Sequence, residues 1–181
     1  MNEDSANEKS GVTIWFTGFP CSGKSTVAAI VARELRACRR KVELLDGDVV
    51  RTNLSKGLGY GKEDRDENIR RIGFVCHLLS RNGVVAIAAA ISPFRAVRDE
   101  VRRMTGSFLE IYVKCPLEVC QARDVKGMYK KAIAGEIAQF TGISDPYEEP
   151  LAPELTLYTD QEPAEESAGR VLRLLRGAGH V

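Results

Sequence analysis

Apolar side chains in this chain gather into five short runs: Val12–Thr17, Val42–Leu45, Val84–Ile91, Phe108–Val113 and Leu155–Tyr158. The runs are continuous rather than alternating, the pattern of parallel strands buried on both faces. Between them, apolar positions recur at helical spacing. Val27–Cys38, Asp64–Arg81, Phe94–Met104, Pro116–Arg123, Met128–Phe140 and Pro163–Arg176 read as helices. In the second of these Ile69, Ile72, Cys76 and Leu79 share one face, and Pro93 is placed to start the third. Strand and helix alternate, which predicts an α/β fold of three layers, a five-stranded parallel sheet with helices on both faces. Residues 1–181 suit a single domain with a full core. Residues 124–153 break the alternation with charge, glycine and proline, and read as a mobile lid.

Composition narrows the function classes. The formal net charge is +1, so nothing draws the whole surface to nucleic acid or membrane. No apolar run approaches the roughly 20 residues that span a bilayer. Residues 1–11 are polar and acidic without an apolar segment, and are expected to be a disordered tail rather than a leader. The five cysteines, Cys21, Cys38, Cys76, Cys115 and Cys120, form no C-x-x-C pair. Four lie in apolar or helical surroundings, as reduced thiols of a cytoplasmic protein do.

The densest chemistry follows the first run. Gly18-Phe19-Pro20-Cys21-Ser22-Gly23-Lys24-Ser25-Thr26 is G-x-x-x-x-G-K-[ST] between a strand and a helix. Gly18 and Gly23 let the backbone curl and aim several N–H groups at a phosphate. The helix beginning near Lys24 adds its positive end. Lys24 supplies a mobile cation for the outer phosphates, and Ser25 a hydroxyl for Mg²⁺, which keeps most of its water. The pattern predicts ATP as the cofactor, held by the whole loop including Cys21, Ser22 and Thr26, with Mg²⁺.

In such sheets ligands sit beyond the carboxyl ends of the strands. The second strand ends in Asp46-Gly47-Asp48. If it runs on through Gly47, both carboxylates face one side, where they can hold hydrated Mg²⁺ or orient an attacking hydroxyl; a polar turn is the alternative. Arg51 follows and could bind an anionic substrate. The third strand ends in Ile91-Ser92-Pro93, where the serine can cap the next helix or touch substrate. Arg65 and Asn68 share a helix face. A cation near a helix N-terminus is unfavourable, and an anionic substrate would repair that. In the lid, Arg123, Lys126, Lys130 and Lys131 are either solvated or available to stabilise a transferring phosphoryl group. Phe140, in the polar setting Gln139-Phe140-Thr141-Gly142, and Tyr60, between two glycines, are expected to be exposed rings able to stack on a base.

These residues resemble the adenylylsulfate kinases. The pieces that carry the likeness are D-G-D-x-x-R at Asp46–Arg51, L-G-Y at Leu58–Tyr60, D-R-x-E-N-I-R-R at Asp64–Arg71 and I-S-P-F at Ile91–Phe94. R-D-V-K-G-M-Y-K-K-A at Arg123–Ala132, A-G-E-I-x-x-F-T-G-I at Ala134–Ile143 and P-Y-E at Pro146–Glu148 extend it through the lid. The resemblance implies transfer of the γ-phosphoryl of ATP to the ribose 3′-hydroxyl of adenylyl sulfate. Lys24, Ser25 and their loop, with Arg123, would hold ATP. Asp46 and Asp48 would serve Mg²⁺ and the 3′-hydroxyl. Arg51, Arg65 and Asn68 would hold the phosphosulfate and sugar, and Tyr60 and Phe140 would sandwich the adenine. Ile91, Ser92 and Gln139 would line that pocket, and Lys126 would reach across it on lid closure. Ser92 stands where a phosphoserine intermediate is sometimes placed, although direct in-line transfer needs none. The resemblance further implies a homodimer, association with an ATP sulfurylase and a place in sulfate assimilation.

The chain departs from the family pattern in four places, the first being the phosphate loop. Pro20 and Cys21 replace a serine and a glycine in the phosphate loop. Tyr60 stands for phenylalanine, Ile133 for an arginine, and Ser144-Asp145 for a segment that starts with aspartate. None removes a group assigned to catalysis. Two other readings are weaker. Sugar and shikimate-type kinases lack the stacking pair and the D-R-x-E-N-I-R-R helix, and a guanine-specific switch would need an N-K-x-D segment that does not occur here.

Overall fold

The computed structural model describes residues 10–181. Its strands are β1 (Val12–Thr17), β2 (Val42–Asp46), β3 (Val85–Ala89), β4 (Phe108–Lys114) and β5 (Leu155–Tyr158). They form one parallel sheet in the order β2-β3-β1-β4-β5. The helices are α1 (Lys24–Ala37), α2 (Gly47–Asn53), α3 (Lys62–Ser80), α4 (Arg95–Thr105), α5 (Leu117–Arg123), α6 (Met128–Ile133) and α7 (Ala164–Gly177).

β1 shows why this sequence makes this sheet. All six of its residues are buried, and successive side chains leave on opposite faces. Val12, Ile14 and Phe16 enter the core shared with α1 and α7, whereas Trp15 enters the core shared with α3 and α4. Each large apolar side chain so buried contributes about 1.5–3 kcal/mol. On the second face α3 and α4 touch closely. A Cβ on Gly73 would lie 2.5 Å from Val101 Cγ2, so the contact requires glycine. β1 lies between β3 and β4; the chain crosses from β1 to β2 on one side and from β3 past β1 to β4 on the other. A crevice at the carboxyl end of β1 results, where such sheets bind ligands.

All five strands fall where the apolar runs predict them, within one or two residues. Three expectations need correction. β2 stops at Asp46, and Gly47–Asn53 is a helix, because the Asp46 side chain accepts the N–H of Asp48 at 3.1 Å and caps it. The two aspartates therefore do not project from one strand face. The helix expected over Met128–Phe140 ends at Ile133, where the chain turns through Gly135 at φ +77°. The tail expected over 1–11 lies mostly outside the described residues, but Gly11 is buried, its missing Cβ directed at the Ser80 carbonyl oxygen. Among the thiols, Cys38 is exposed rather than buried, and none of the five forms a disulfide.

Candidate active site

The phosphate loop closes the carboxyl end of β1. Gly18 and Gly23 have φ +151° and +98°. A Cβ on Gly18 would lie 2.4 Å from the Val113 carbonyl oxygen, so the loop's first position admits glycine alone. Cys21 also has positive φ, +59°, at a cost of about 1–2 kcal/mol for a residue with a Cβ. Ser22 is fully buried and Gly23 caps α1, leaving Ser25 and Thr26 exposed on its first turn. Lys24 folds back into the loop. Its Nζ donates to the carbonyl oxygens of Phe19 at 2.5 Å and Gly18 at 3.0 Å. Burial lowers its pKa from 10.5 to about 8, against the opposing pull of Cys120, Cys21 and Asp46. Arg123, from the end of α5, donates to the carbonyl oxygens of Thr159 at 2.5 Å and Cys21 at 3.4 Å. Thr159 in turn donates its hydroxyl to the Ser22 carbonyl oxygen at 2.6 Å. Arg123 thus braces the loop against the segment after β5.

Opposite the loop stand the two aspartates. The Ser25 hydroxyl donates to Asp46 Oδ2 at 2.6 Å. The Asp48 carboxylate pairs with Lys126 Nζ from the lid, and that bond raises the Lys126 pKa. Residues 21, 78 and 102 positions apart in sequence therefore meet around one crevice: Lys24, Ser25, Asp46, Asp48, Lys126 and Arg123.

The other side of the crevice is built from α2, α3 and the lid. The Arg51 guanidinium lies 4.4 Å above the Tyr60 ring and donates to the Gly59 carbonyl oxygen at 2.7 Å. Tyr60 is 57% exposed, as expected. Asn68 is buried, and its Oδ1 has no hydrogen-bond partner among the described residues. Arg65 is tied to the lid. It is buried, donates to the Tyr60 carbonyl oxygen at 2.6 Å, to the Gln139 carbonyl oxygen and to the Thr141 hydroxyl, and pairs with Asp145 at 3.1 Å. These lid contacts offset its unfavourable place on α3 and set the guanidinium between α3 and the lid. Phe140 is the clearest correction. It is 8% exposed, not open to solvent, and its ring meets Tyr129 edge-on at 4.9 Å. The apolar cluster of Cys115, Cys120, Tyr129 and Ala132 takes it in. Gln139 is held at φ +58° beside Gly61.

Ser92 corrects the capping alternative. The N-cap of α4 is Phe94, without a side-chain cap. Ser92 is 1% exposed at φ +41°, accepts from Trp15 Nε1 at 2.9 Å and donates to the Ala90 carbonyl oxygen at 3.2 Å. Ile91 lies in the loop beyond β3, its carbonyl oxygen accepting from Thr17 at 2.8 Å. Sequence reasoning missed two anchors here. Tyr147 shares its hydroxyl with Thr17 Oγ1 at 2.8 Å, and Asp124 caps the lid helix by accepting from the N–H groups of Tyr129 and Lys130 at 3.0 Å each. Asp five residues before the apolar turn was the available signal for the second.

The sequence profile of the adenylylsulphate kinase family matches residues 10–158. The chain belongs to that family. It is 57% identical over 174 residues to an adenylyl-sulfate kinase of Picosynechococcus, covering 96% of this chain and 98% of that one. A bifunctional SAT/APS kinase of Sorangium cellulosum is 55% identical over 95% of this chain, which spans 30% of that longer protein. Among solved structures, the Mycobacterium tuberculosis APS kinase in complex with AMPPNP and APS superposes with a TM-score of 0.89 at 42% identity, covering 92% of this chain and 98% of that one. Among the described residues no helix is long and apolar enough to cross a membrane.

Proposed function

We propose that this family member transfers the γ-phosphoryl group of ATP to the ribose 3′-hydroxyl of adenylyl sulfate, giving 3′-phosphoadenylyl sulfate and ADP. One juxtaposition carries the reading: Lys24 and Ser25 of the phosphate loop face Asp46, Asp48 and Lys126, beside a wall in which Arg65 joins Tyr60 to Gln139 and Thr141. One half suits a triphosphate, and the other offers a ring, a cation and an unsatisfied amide oxygen to a nucleotide.

Phosphoryl transfer asks the protein to position reactants and stabilise charge rather than to form bonds. Gly18, Cys21, Ser22, Gly23 and Thr26 cradle the phosphates, Lys24 neutralises the outer ones, and Arg123 holds the loop in shape at the nucleotide's edge. Ser25 with Asp46 and Asp48 presents hard oxygen donors, the set that suits Mg²⁺, which keeps most of its water. Bound there, Mg²⁺ would neutralise charge developing on the β- and γ-phosphates. Asp48 orients the acceptor hydroxyl and takes its proton. Lys126, released from Asp48, moves to the transferring group. Arg51, Arg65 and Asn68 hold the phosphosulfate and sugar; Tyr60 and Phe140 flank the adenine, with Ile91, Ser92 and Gln139 along the wall. The burial of the Ser92 hydroxyl, bonded to Trp15 and Ala90, supports direct transfer over a phosphoserine.

The chain is taken as one kinase domain with residues 124–153 as its lid, working in the cytoplasm in sulfate assimilation as a homodimer. The longer bifunctional relative supports association with an ATP sulfurylase. A coupled ADP-release assay with Mg-ATP tests the reaction, with shikimate and gluconate as control acceptors. ADP that forms only with adenylyl sulfate, beside a 3′-phosphorylated product, is the expected result. ATP binding without turnover of adenylyl sulfate would remove the acceptor half of the reading.

A further inference from the structure

We infer that Arg98 is a positioning residue for the acceptor side of the site, a reading that rests on the assignment of Ile91 and Ser92 to the acceptor wall. Arg98 lies on α4 and is 2% exposed. Its guanidinium has three hydrogen-bond partners in three separate segments. Nε donates to Glu110 Oε1 on β4 at 2.8 Å, Nη1 to the Ser92 carbonyl oxygen at 2.5 Å, and Nη2 to the Glu148 carbonyl oxygen at 2.7 Å. The Glu110 carboxylate balances the charge, with Arg102 at its other oxygen.

The charge alone does not account for an arginine here. A buried ion pair is often no more stabilising than apolar residues of equal volume. An apolar side chain, however, could not satisfy the two carbonyl oxygens, and a lysine could not span them with a rigid planar fork. Those oxygens belong to the loop that ends at the acceptor wall and to the extended C-terminal part of the lid. The same two segments meet at further points. The Glu148 N–H donates to the Pro93 carbonyl oxygen at 2.8 Å, the Arg95 N–H donates to Glu148 Oε2 at 2.8 Å, and Tyr147 reaches Thr17. Arg98 is the one member of this set that also ties Ser92, held in the left-handed region, to the sheet at Glu110. It therefore sets where Ile91 and Ser92 stand and fixes the lid's far end to them. Among the described residues no hydrogen bond runs from Arg98 to the phosphate loop; its one link that way is the Tyr147 ring, 5.8 Å from the guanidinium and packed on Phe19, so its hydrogen-bonding grip falls on the acceptor side.

The test separates positioning from fold stability. In Arg98→Lys, which keeps the charge facing Glu110 but loses the fork, the KM for adenylyl sulfate rises about tenfold or more, because displaced substrate-positioning groups weaken productive binding steeply. The ATP affinity stays within about twofold, as for distant sites. Glu110→Gln, which keeps both carbonyl contacts, leaves the KM for adenylyl sulfate near the wild-type value while lowering Tm. An unchanged KM in Arg98→Lys, or equal KM changes in both variants, overturns the inference. Should Arg98→Lys not fold, amide hydrogen exchange of the wild-type protein decides. Residues 91–94 and 147–148 gain protection together on adding adenylyl sulfate, and protection of one segment alone overturns the coupling. A wild-type protein that neither binds nor turns over adenylyl sulfate would instead overturn the proposed reaction.

Discussion

The indole N–H of Trp15 donates a 2.9 Å hydrogen bond to the hydroxyl of Ser92, 77 residues away. It joins the strand that leads into the phosphate loop to the loop that follows β3. Both groups are almost fully buried, so neither can take water as a substitute. Ser92→Ala is expected to lose about 1–3 kcal/mol of stability, the penalty for an orphaned buried donor, and to alter the emission of the chain's single tryptophan. Turnover is expected to persist, since in-line transfer needs no serine nucleophile. Urea unfolding followed by Trp15 fluorescence, with steady-state rates, checks both. Complete loss of turnover in a folded variant would point to a covalent intermediate.

Lys24 makes ATP binding depend on pH. Burial lowers its pKa to about 8 in the free protein, and bound phosphates favour the ammonium form, so the pKa rises on binding. ATP affinity should fall as pH rises through about 8, and binding at about pH 9 should take up a proton that binding at about pH 6.5 does not. Stability runs the other way. Between about 8 and 10.5 the unfolded chain binds more protons at this lysine than the folded one, so its contribution to stability rises with pH. Calorimetry in buffers of different ionisation heat would detect the uptake, and its absence would contradict the buried setting of Lys24.

Asp48→Asn removes the carboxylate that pairs with Lys126. Both side chains are largely exposed, so the fold should lose little. The transfer rate should fall roughly 10²–10⁴-fold, the usual contribution of a positioned general base. A single-turnover measurement with saturating ATP and adenylyl sulfate checks this. An unchanged rate would remove Asp48 from both base and metal roles.

Phe140→Ala should act on the lid before it acts on the fold. The ring is buried against Tyr129 in a cluster separate from the two sheet cores, and losing a buried Phe removes about 3–5 kcal/mol of local packing. Protease sensitivity of residues 134–145 should rise. Adenylyl sulfate should weaken by about 1–3 kcal/mol, the range for base–aromatic stacking, with ATP affinity unchanged. Equal binding of adenylyl sulfate by variant and wild type would confine Phe140 to lid packing.

The strands and the phosphate loop were legible because their signals are local. Val12 to Thr17 is apolar throughout, and the glycine and lysine spacing that follows has one structural solution. The misreadings share a different character. Asp46 and Asp48 read equally well as strand or turn until the capping bond to the Asp48 N–H decides for helix. Phe140 sits among polar neighbours in sequence, yet it is buried by Cys115 from the connection after β4, Cys120 from α5 and Tyr129 from α6. The lid partners of Arg65, namely Gln139, Thr141 and Asp145, were not legible because they lie more than 70 positions downstream.

The sequence by itself determined the α/β class, the nucleotide loop and the family, since runs of apolar residues, glycine backbone freedom and linear motifs are properties of neighbours along the chain. Only the tertiary structure decided which charges remain available to a substrate and which hold the protein together. Arg65 and Arg98 are chemically alike with Arg51 in the sequence. Folding buries Arg98 among two carbonyl oxygens and the Glu110 carboxylate, places Arg65 between α3 and the lid, and leaves Arg51 half-buried over Tyr60. A guanidinium taken out of water must find its partners inside the protein, and those partners come from segments that only the closed fold brings together.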